Sequence, residues 1–297
     1  MGKDIEKQLM KAEKLYKAMQ YKRAAKLYNS LGSKFLDLNN FELAKDCFFN
    51  AAIGLINEEK YLRALDSLRN AGNASLVKNN YLEAQKFFTD ALEYVHSVRN
   101  ITERNFYYVF FSCLSYLCSF VKGKGEEGIN LIKKIKSYVD DEYFKENPLI
   151  RLIKDITIAI KDKNNKYLEK IEKEFDQIKF FEGELNLAKR VLVIVKTHVS
   201  LITKLSIDKD VYTTNDLITL MIEIDSKPLL DNLMHPFYNY YLKELKISKI
   251  RLILSDNLTS HKRPELPVII KPGQNHQLEF LIKPHFQMEK TFIGPIT

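Results

Sequence analysis

A repeat of twenty residues near the start of the chain constrains this fold more than any other feature. Aromatic residues begin the copies at Tyr21, Phe41, Tyr61 and Tyr81. Alanine follows three positions later in each copy, at Ala24, Ala44, Ala64 and Ala84. Further apolar or small residues occupy the seventh and tenth positions after the aromatic, for example Phe48 and Ala51. Offsets of 0, 3, 7 and 10 lie on one helical face. Each copy is therefore predicted to form one amphipathic helix.

The copies are separated by short polar pairs, Asn39-Asn40, Glu59-Lys60 and Asn79-Asn80. Asparagine tolerates left-handed backbone geometry and caps helices, so such a pair can end one helix and begin the next. Successive helices are then antiparallel neighbours, and alanine on the packed face lets their axes approach closely. Stacked hairpins of this kind predict a right-handed α-solenoid with an extended concave face.

The length of the repeat indicates which family of helical repeats the chain resembles. A tetratricopeptide unit takes about 34 residues for two helices, whereas two copies here take forty, so these helices are longer. The stretch from Cys47 to Val95 resembles the central repeats of the soluble NSF attachment proteins, in the pieces Ala51-Ala52, Ala71-Gly72 and Glu83-Ala84. The resemblance covers roughly residues 10–100 and extends in weaker form to about residue 200.

The attachment proteins are adaptors that connect SNARE bundles to a disassembling ATPase of the AAA type. The resemblance therefore implies a TPR-like helical domain without catalytic activity, whose positive residues meet acidic helical bundles. Two features of the family have no counterpart in this sequence. No acidic, leucine-containing tail ends it, and only Met19-Gln20 separates the first two helices, where the family has an apolar membrane-contacting loop. Stimulation of the ATPase is therefore not carried over.

Helices are expected to continue beyond the clear repeats, near residues 102–121, 125–139, 148–162, 164–179 and 183–203. Thr102-Glu103 and Asn147-Pro148 are candidate helix starts. The acidic run Asp140-Asp141-Glu142 fits a helix N-terminus, where the macrodipole favours negative charge. The apolar run Phe106–Val121 is interrupted by serines and is shorter than the ~20 residues of a membrane span, so we interpret it as a buried helix.

Period-two patterns replace helical ones near residue 204, which divides the chain into a helical domain, 1–203, and a β domain, 204–297. Alternation from Ile218 to Ile224 predicts a strand. Leu245 to Leu254 predicts a second, with a bulge after Ile247 where the apolar phase slips. A turn at residues 271–273, a strand over 278–282 and a last strand at Phe292-Ile293 follow.

These strands predict a small antiparallel β-sandwich that resembles the immunoglobulin-like modules of trafficking proteins. A sandwich normally has one more strand after such a pattern. We therefore expect either a strand beyond residue 297 or an open sheet edge that receives a strand from a partner.

Motifs for chemistry are missing from the sequence. Six histidines are widely spaced, and no P-loop, G-x-S-x-G or G-x-G-x-x-G motif occurs. The three cysteines are expected to be buried and inert, which suits a reducing cytosol. The net charge of +8 is modest and follows no nucleic-acid-binding motif. We therefore expect a cytoplasmic protein without enzymatic activity, cofactor, metal or nucleic-acid partner.

The most distinctive candidate binding feature is a basic stripe on the first helix. Lys3, Lys7, Lys11 and Lys14 follow spacings of three and four residues, and three more cations extend the stripe, at Lys17, Lys22 and Arg23. It has two interpretations. The stripe is either a solvated helix face, or a docking surface for acidic helices or an anionic membrane.

Three functional hypotheses follow. The first is a protein-binding adaptor in membrane trafficking, resembling the attachment proteins. The second is a scaffold subunit of a coat or tethering complex. The third is an enzyme with a site between the domains, suggested by His235, Tyr238, Tyr240 and Tyr241, although aromatic packing explains the same cluster.

Overall fold

In a computed structural model, the chain forms two compact units, residues 1–195 and 196–297. The structure describes residues 3–164, 166–175, 177–209, 211–232, 243–286 and 293–296. The first unit consists of helices in tandem, and the second contains a small antiparallel sheet.

Four helices begin at the four repeated aromatic residues, so the prediction of one helix per copy is confirmed. They are α2 (Tyr21–Asp37), α3 (Phe41–Asn57), α4 (Tyr61–Val77) and α5 (Tyr81–Val95). The preceding helix is α1 (Lys3–Lys17). The later helices are α6 (Ile101–Val121), α7 (Gly128–Lys136), α8 (Asp141–Glu146), α9 (Pro148–Asp162), α10 (Lys166–Phe175) and α11 (Glu182–Ser200).

The helices of the repeat are joined by connections of one recurring form. The middle residue of each connection has left-handed geometry, with φ of 57° at Met19, 55° at Asn39 and Glu59, and 58° at Asn79. The backbone N–H of the next residue donates to a carbonyl five positions earlier, as Asn40 does to Phe35 (2.8 Å). This is the Schellman pattern, in which the residue that closes one helix also precedes the next. The same backbone conformation occurs at Met19 and Glu59, although neither residue is asparagine.

Small residues let neighbouring helices approach closely. A Cβ atom added to Gly32 of α2 would lie 2.7 Å from the Phe48 ring of α3. Forty residues later the same arrangement recurs, with the Phe88 ring of α5 packed on Gly72 of α4. The aromatic at the seventh position of the repeat thus fills a space that only glycine leaves open. The structural unit is therefore a forty-residue hairpin.

Polar contacts join alternate helices of the repeat. The Lys45 ammonium of α3 contacts Glu83 of α5 (2.9 Å), and also Glu42 of its own helix (2.6 Å). Burial alone would lower the Lys45 pKa, but the hydrogen bonds to Glu42 and Glu83 raise that pKa above its ordinary range. Ser67 of α4 donates to Asn29 of α2 (3.1 Å). Helices two positions apart along the chain therefore touch as well as direct neighbours.

Beyond the repeat, the capping predictions hold at two of three positions. Asn147 caps α9 with Pro148 in the first turn, and Asp140 caps α8 by accepting from the Tyr143 N–H (2.8 Å). The predicted start at Thr102 is displaced, because Asn100 caps α6 and accepts from the Glu103 N–H. As predicted, α6 is largely buried. The expected helix 125–139 is shorter, with a 3-10 turn over Gly125–Glu127 before α7.

The second unit is built from β1 (Ile202–Ile207), β2 (Ile218–Asp225), α12 (Pro228–Asn232), β3 (Leu245–Ile247), β4 (Leu252–Leu254), β5 (Leu258–Lys262), β6 (Val268–Ile270), β7 (Asn275–Pro284) and β8 (Ile293–Ile296). The central antiparallel sheet has the order β1-β2-β7-β5, and β3–β6 and β4–β8 form two further pairs. Alternate residues of β2 and β7, such as Ile222 and Phe280, form the core. Partly buried residues of β3, β4 and β6 pack against it.

The strand predictions were correct for β2 and β7. One other strand prediction and the end of one predicted helix were wrong. Residues 245–254 do not form one bulged strand, because β3 and β4 pair with different partners, β6 and β8. The slip in apolar phase marks the break between these strands. The predicted helix over 183–203 ends at Ser200, and β1 begins at Ile202. Of the predicted last strand, Ile293 begins β8, and Phe292 lies outside the described residues.

Candidate protein-binding surfaces

A groove between α1 and α2 combines positive charge with an apolar floor. Its volume is about 490 Å³. The lining residues are Lys11, Leu15, Arg23, Lys26, Leu27 and Ser30. The two helices are antiparallel because the left-handed turn at Met19 reverses the chain. Ala12 and Ala24 are fully buried on the packed side, so the helix axes approach closely and the longer side chains border the groove.

The groove takes up part of the predicted basic stripe. Lys11 and Arg23 line the groove. The other members lie along the same two helices: Lys7, Lys14, Lys17 and Lys22 are exposed, and Lys3 is the first residue of α1. The sequence interpretation missed Lys26, which follows Lys22 and Arg23 at spacings of four and three. Extending the helical spacing from α1 into α2 would have found it.

The cations of the groove are not neutralised from within the described part of the chain. Arg23 donates to the side-chain oxygen of Gln20 (3.1 Å), a neutral group. The ion pairs found among the described residues do not include Lys11, Arg23 or Lys26. The groove therefore offers positive charge to an external partner.

A second polar cluster, which we call the Arg69 cluster, consists of Arg69, Asn73, Phe110, Phe181, Gly183 and Glu184. The Arg69 guanidinium of α4 lies between two rings, 4.2 Å from the Phe110 centroid and 3.9 Å from the Phe181 centroid. It donates two hydrogen bonds of 2.7 Å to Glu184, whose side chain is fully buried. Glu184 also accepts from the Phe181 N–H (2.8 Å), so it caps α11 while pairing with Arg69.

Backbone contact brings the start of α11 onto α4. The Gly183 N–H donates to Asn73 Oδ1 (2.9 Å). A Cβ atom on Gly183 would lie 2.6 Å from the Asn73 carbonyl oxygen, so a larger residue would push α11 away. The face of α4 that carries Arg69 is therefore covered by the chain's own segment. Sequence inspection missed the cluster because its partners lie 115 positions apart.

The three cysteines, Cys47, Cys113 and Cys118, are unpaired and buried in α3 and α6, as predicted. Burial raises the pKa of Cys47 and of Cys118 to about 12 and lifts that of Cys113 further. Since the thiolate is the reactive form, these thiols are expected to react slowly near neutral pH.

Among the described residues, no group of three or more His, Cys, Asp or Glu side chains is arranged to hold a metal ion. The aromatic cluster of His235, Tyr238, Tyr240 and Tyr241 lies outside those residues.

No helix in the described part of the chain combines the length and apolar character that a bilayer crossing requires.

No protein-family model matches the chain, and no curated protein matches it at a significant level. Of the surfaces described above, the groove between α1 and α2 combines exposed cations with an apolar floor.

Proposed function

We propose that the chain is a non-catalytic adaptor of the cytosol that binds an acidic helix of a partner protein. In this proposal the tandem helices form a right-handed solenoid resembling that of the soluble NSF attachment proteins. The β unit forms a two-layer sandwich available to a second partner. Support for the solenoid comes from the recurring three-residue connections and the forty-residue hairpin unit. Support for the sandwich comes from the side chains of β3, β4 and β6 that cover the core of the main sheet.

The observation that carries the proposal is the composition of the groove between α1 and α2. Leu15 and Leu27 provide an apolar floor, and Lys11, Arg23 and Lys26 surround it with positive charge. An amphipathic helix lies in such a groove with apolar side chains at spacings of three and four residues facing the floor. Its flanking carboxylates would then meet the three cations, which accelerates encounter and selects acidic partners.

The Arg69 cluster supports placing the client at this groove. The surface of α4 that carries Arg69 already binds an aromatic and acidic segment of the chain, Phe181–Glu184, through a partly buried arginine. A client that used this face of α4 would have to break an ion pair whose carboxylate is fully buried, which is costly. A client that binds in the groove between α1 and α2 would not have to break this ion pair.

The direct test uses an acidic amphipathic helical peptide with leucines at positions i, i+3 and i+7, and measures its affinity by fluorescence anisotropy. The variant Lys11→Glu, Arg23→Glu, Lys26→Glu should weaken binding about tenfold or more, since three favourable charge contacts become repulsive. The matched control changes the net charge equally on an exposed surface of α7, as Lys133→Glu, Lys134→Glu, Lys136→Glu. Equal weakening by both variants would show only non-specific attraction and would contradict the proposal.

The partner itself is sought by low-salt pull-down from native lysate, with the groove variant as the negative control. An acidic helical protein, alone or together with an AAA-type ATPase, is the expected result. Recovery of the same proteins by wild type and groove variant would remove the groove from the proposal.

A further inference from the structure

Strand β1 is an outer edge of the four-stranded sheet, and it is unusually open. All six of its residues are exposed, including Leu205 at 57% and Ile207 at 42%. Its pairing with β2 runs without interruption from Ile202 to Ile207. Within the described residues, no strand pairs with its other side.

The backbone hydrogen bonds show which residues of β1 face outward. The Asp208 N–H donates to the Thr219 carbonyl (3.1 Å), so the backbone of Asp208 points toward β2. Orientation alternates along an antiparallel strand, so Ile202, Lys204 and Ser206 also point toward β2. The N–H and C=O groups of the other three residues, Thr203, Leu205 and Ile207, therefore point away from the sheet and are available for pairing.

The side chains of these three residues extend the core face of the sheet. Leu205 lies opposite Ile222, and Ile207 lies opposite Leu220. Both partners on β2 are buried, at 5% and 3% exposure. The apolar face of the sheet thus continues from β2, where it is buried, onto β1, where it is exposed.

The opposite edge of the sheet differs. Strand β5 has an irregular register between Ser260 and Lys262. The strand is followed by Arg263, which is charged, and by Pro264, which has no backbone N–H. Bulges, charges and proline are the usual devices that prevent an edge strand from pairing. Along β1 the only charged residue is Lys204, and neither a bulge nor a proline occurs.

We propose that the β1 edge binds the β1 edge of a second copy of this chain. The two strands would run antiparallel about a two-fold axis beside Leu205, joining two sheets into one of eight strands. In this register Leu205 lies opposite its own copy, and Thr203 lies opposite Ile207. All three outward-facing residues then form hydrogen-bonded pairs, giving about six new backbone hydrogen bonds.

A two-fold interface uses the same surface of both copies, so the edge of β1 must be complementary to itself. The apolar row Ile222, Leu205 continues directly into Leu205 and Ile222 of the second copy. Lys204 lies opposite Ser206, so no like charges are directly opposed. The contact is short, and the dimer is accordingly weak and dependent on concentration.

Disulfide trapping tests the register. In Leu205→Cys the two engineered thiols would lie about 5.5 Å apart between Cα atoms, within the range of a disulfide. In Ile207→Cys the two Cα atoms would be about 14 Å apart, because each residue is offset by two positions from the axis. Mild oxidation should therefore cross-link Leu205→Cys and leave Ile207→Cys monomeric. Lys262→Cys on the β5 edge is the control for random collision, and the buried native thiols contribute little background.

Sedimentation velocity over a range of protein concentrations tests the dimer without cross-linking. Wild type should show a growing fraction at twice the monomer mass. Leu205→Lys, which retains the backbone and places two cations across the axis, should remain monomeric with an unchanged circular dichroism spectrum. Wild type that stays monomeric at every concentration would overturn the proposal. So would equal cross-linking of Leu205→Cys, Ile207→Cys and Lys262→Cys.

Discussion

Two contacts of the helical unit show different ways of joining helices. In the repeat, Phe88 packs on Gly72, a residue sixteen positions earlier, and the contact depends on shape alone. At the start of α11, Arg69 pairs with Glu184, 115 positions later, and the contact depends on buried charge. The first kind occurs twice, forty residues apart, at Gly32 and at Gly72. The second joins helices that lie far apart along the chain. The repeat therefore uses local contacts of one recurring kind, whereas the start of α11 uses long-range polar contacts.

The largest effect is expected from Arg69→Ala. Glu184 is fully buried, so removing its partner leaves an uncompensated charge and should lower the free energy of unfolding by about 3–5 kcal/mol. Urea denaturation followed by circular dichroism measures the change. The control is the double variant Arg69→Met, Glu184→Gln, which removes both charges, keeps a side-chain oxygen for the Phe181 N–H and should recover most of the loss. A double variant as unstable as Arg69→Ala would mean that ring packing, and not charge, holds α11.

Overpacking in the repeat should have the next largest effect. Gly72→Ala directs a methyl group into the Phe88 ring and should cost about 1–3 kcal/mol. Combining it with Phe88→Leu makes room for that methyl group. The double variant should therefore lose less than the sum of the two single losses. Strictly additive losses in urea denaturation would contradict a contact based on shape.

The caps of the repeat offer a smaller and two-sided test. Asn80 accepts a hydrogen bond from the Glu83 N–H (3.3 Å), whereas Lys60, at the equivalent position, makes no side-chain cap. Asn80→Ala should lower the unfolding free energy by about 1 kcal/mol. Lys60→Asn should raise it by up to about 1 kcal/mol, because the cap is added to the same backbone shape. A loss of stability on Lys60→Asn, seen as a lower thermal midpoint, would show that the connections are not equivalent.

The smallest effect is expected in the β unit. Lys209 and Asp216 form an exposed ion pair at 3.3 Å. Screening by solvent removes most of the value of such a pair, so Lys209→Ala should leave the thermal midpoint unchanged within error. A clear decrease in the thermal midpoint would show that the exposed pair of the β unit contributes more to stability than its exposure indicates.

The helices α2 to α5 could be predicted from sequence because everything that specifies them is local. Their apolar spacing, their caps and their connections all lie within twenty residues. Two of the three cations of the groove, Lys11 and Arg23, were found in the same way, since they belong to a stripe that helical spacing reveals.

The strands β3 and β4 were harder, because strand identity depends on the partner. Residues 245–254 contain enough alternation for one strand, but the two halves pair with β6 and β8. The slip in apolar phase after Ile247 fits either a bulge or a break between strands, and only the pairing partners, which lie far along the chain, distinguish the two.

The sequence by itself determined the twenty-residue repeat, the helices that it encodes and the change to strands after them. Only the tertiary structure decided that Glu184 is buried against Arg69 and that β1 is an open edge. The physical reason is the separation along the chain of the residues involved. Propensity, capping and amphipathic spacing act between neighbouring residues and leave a periodic pattern in the sequence, whereas long-range ion pairs and sheet edges depend on distant residues and leave no such pattern.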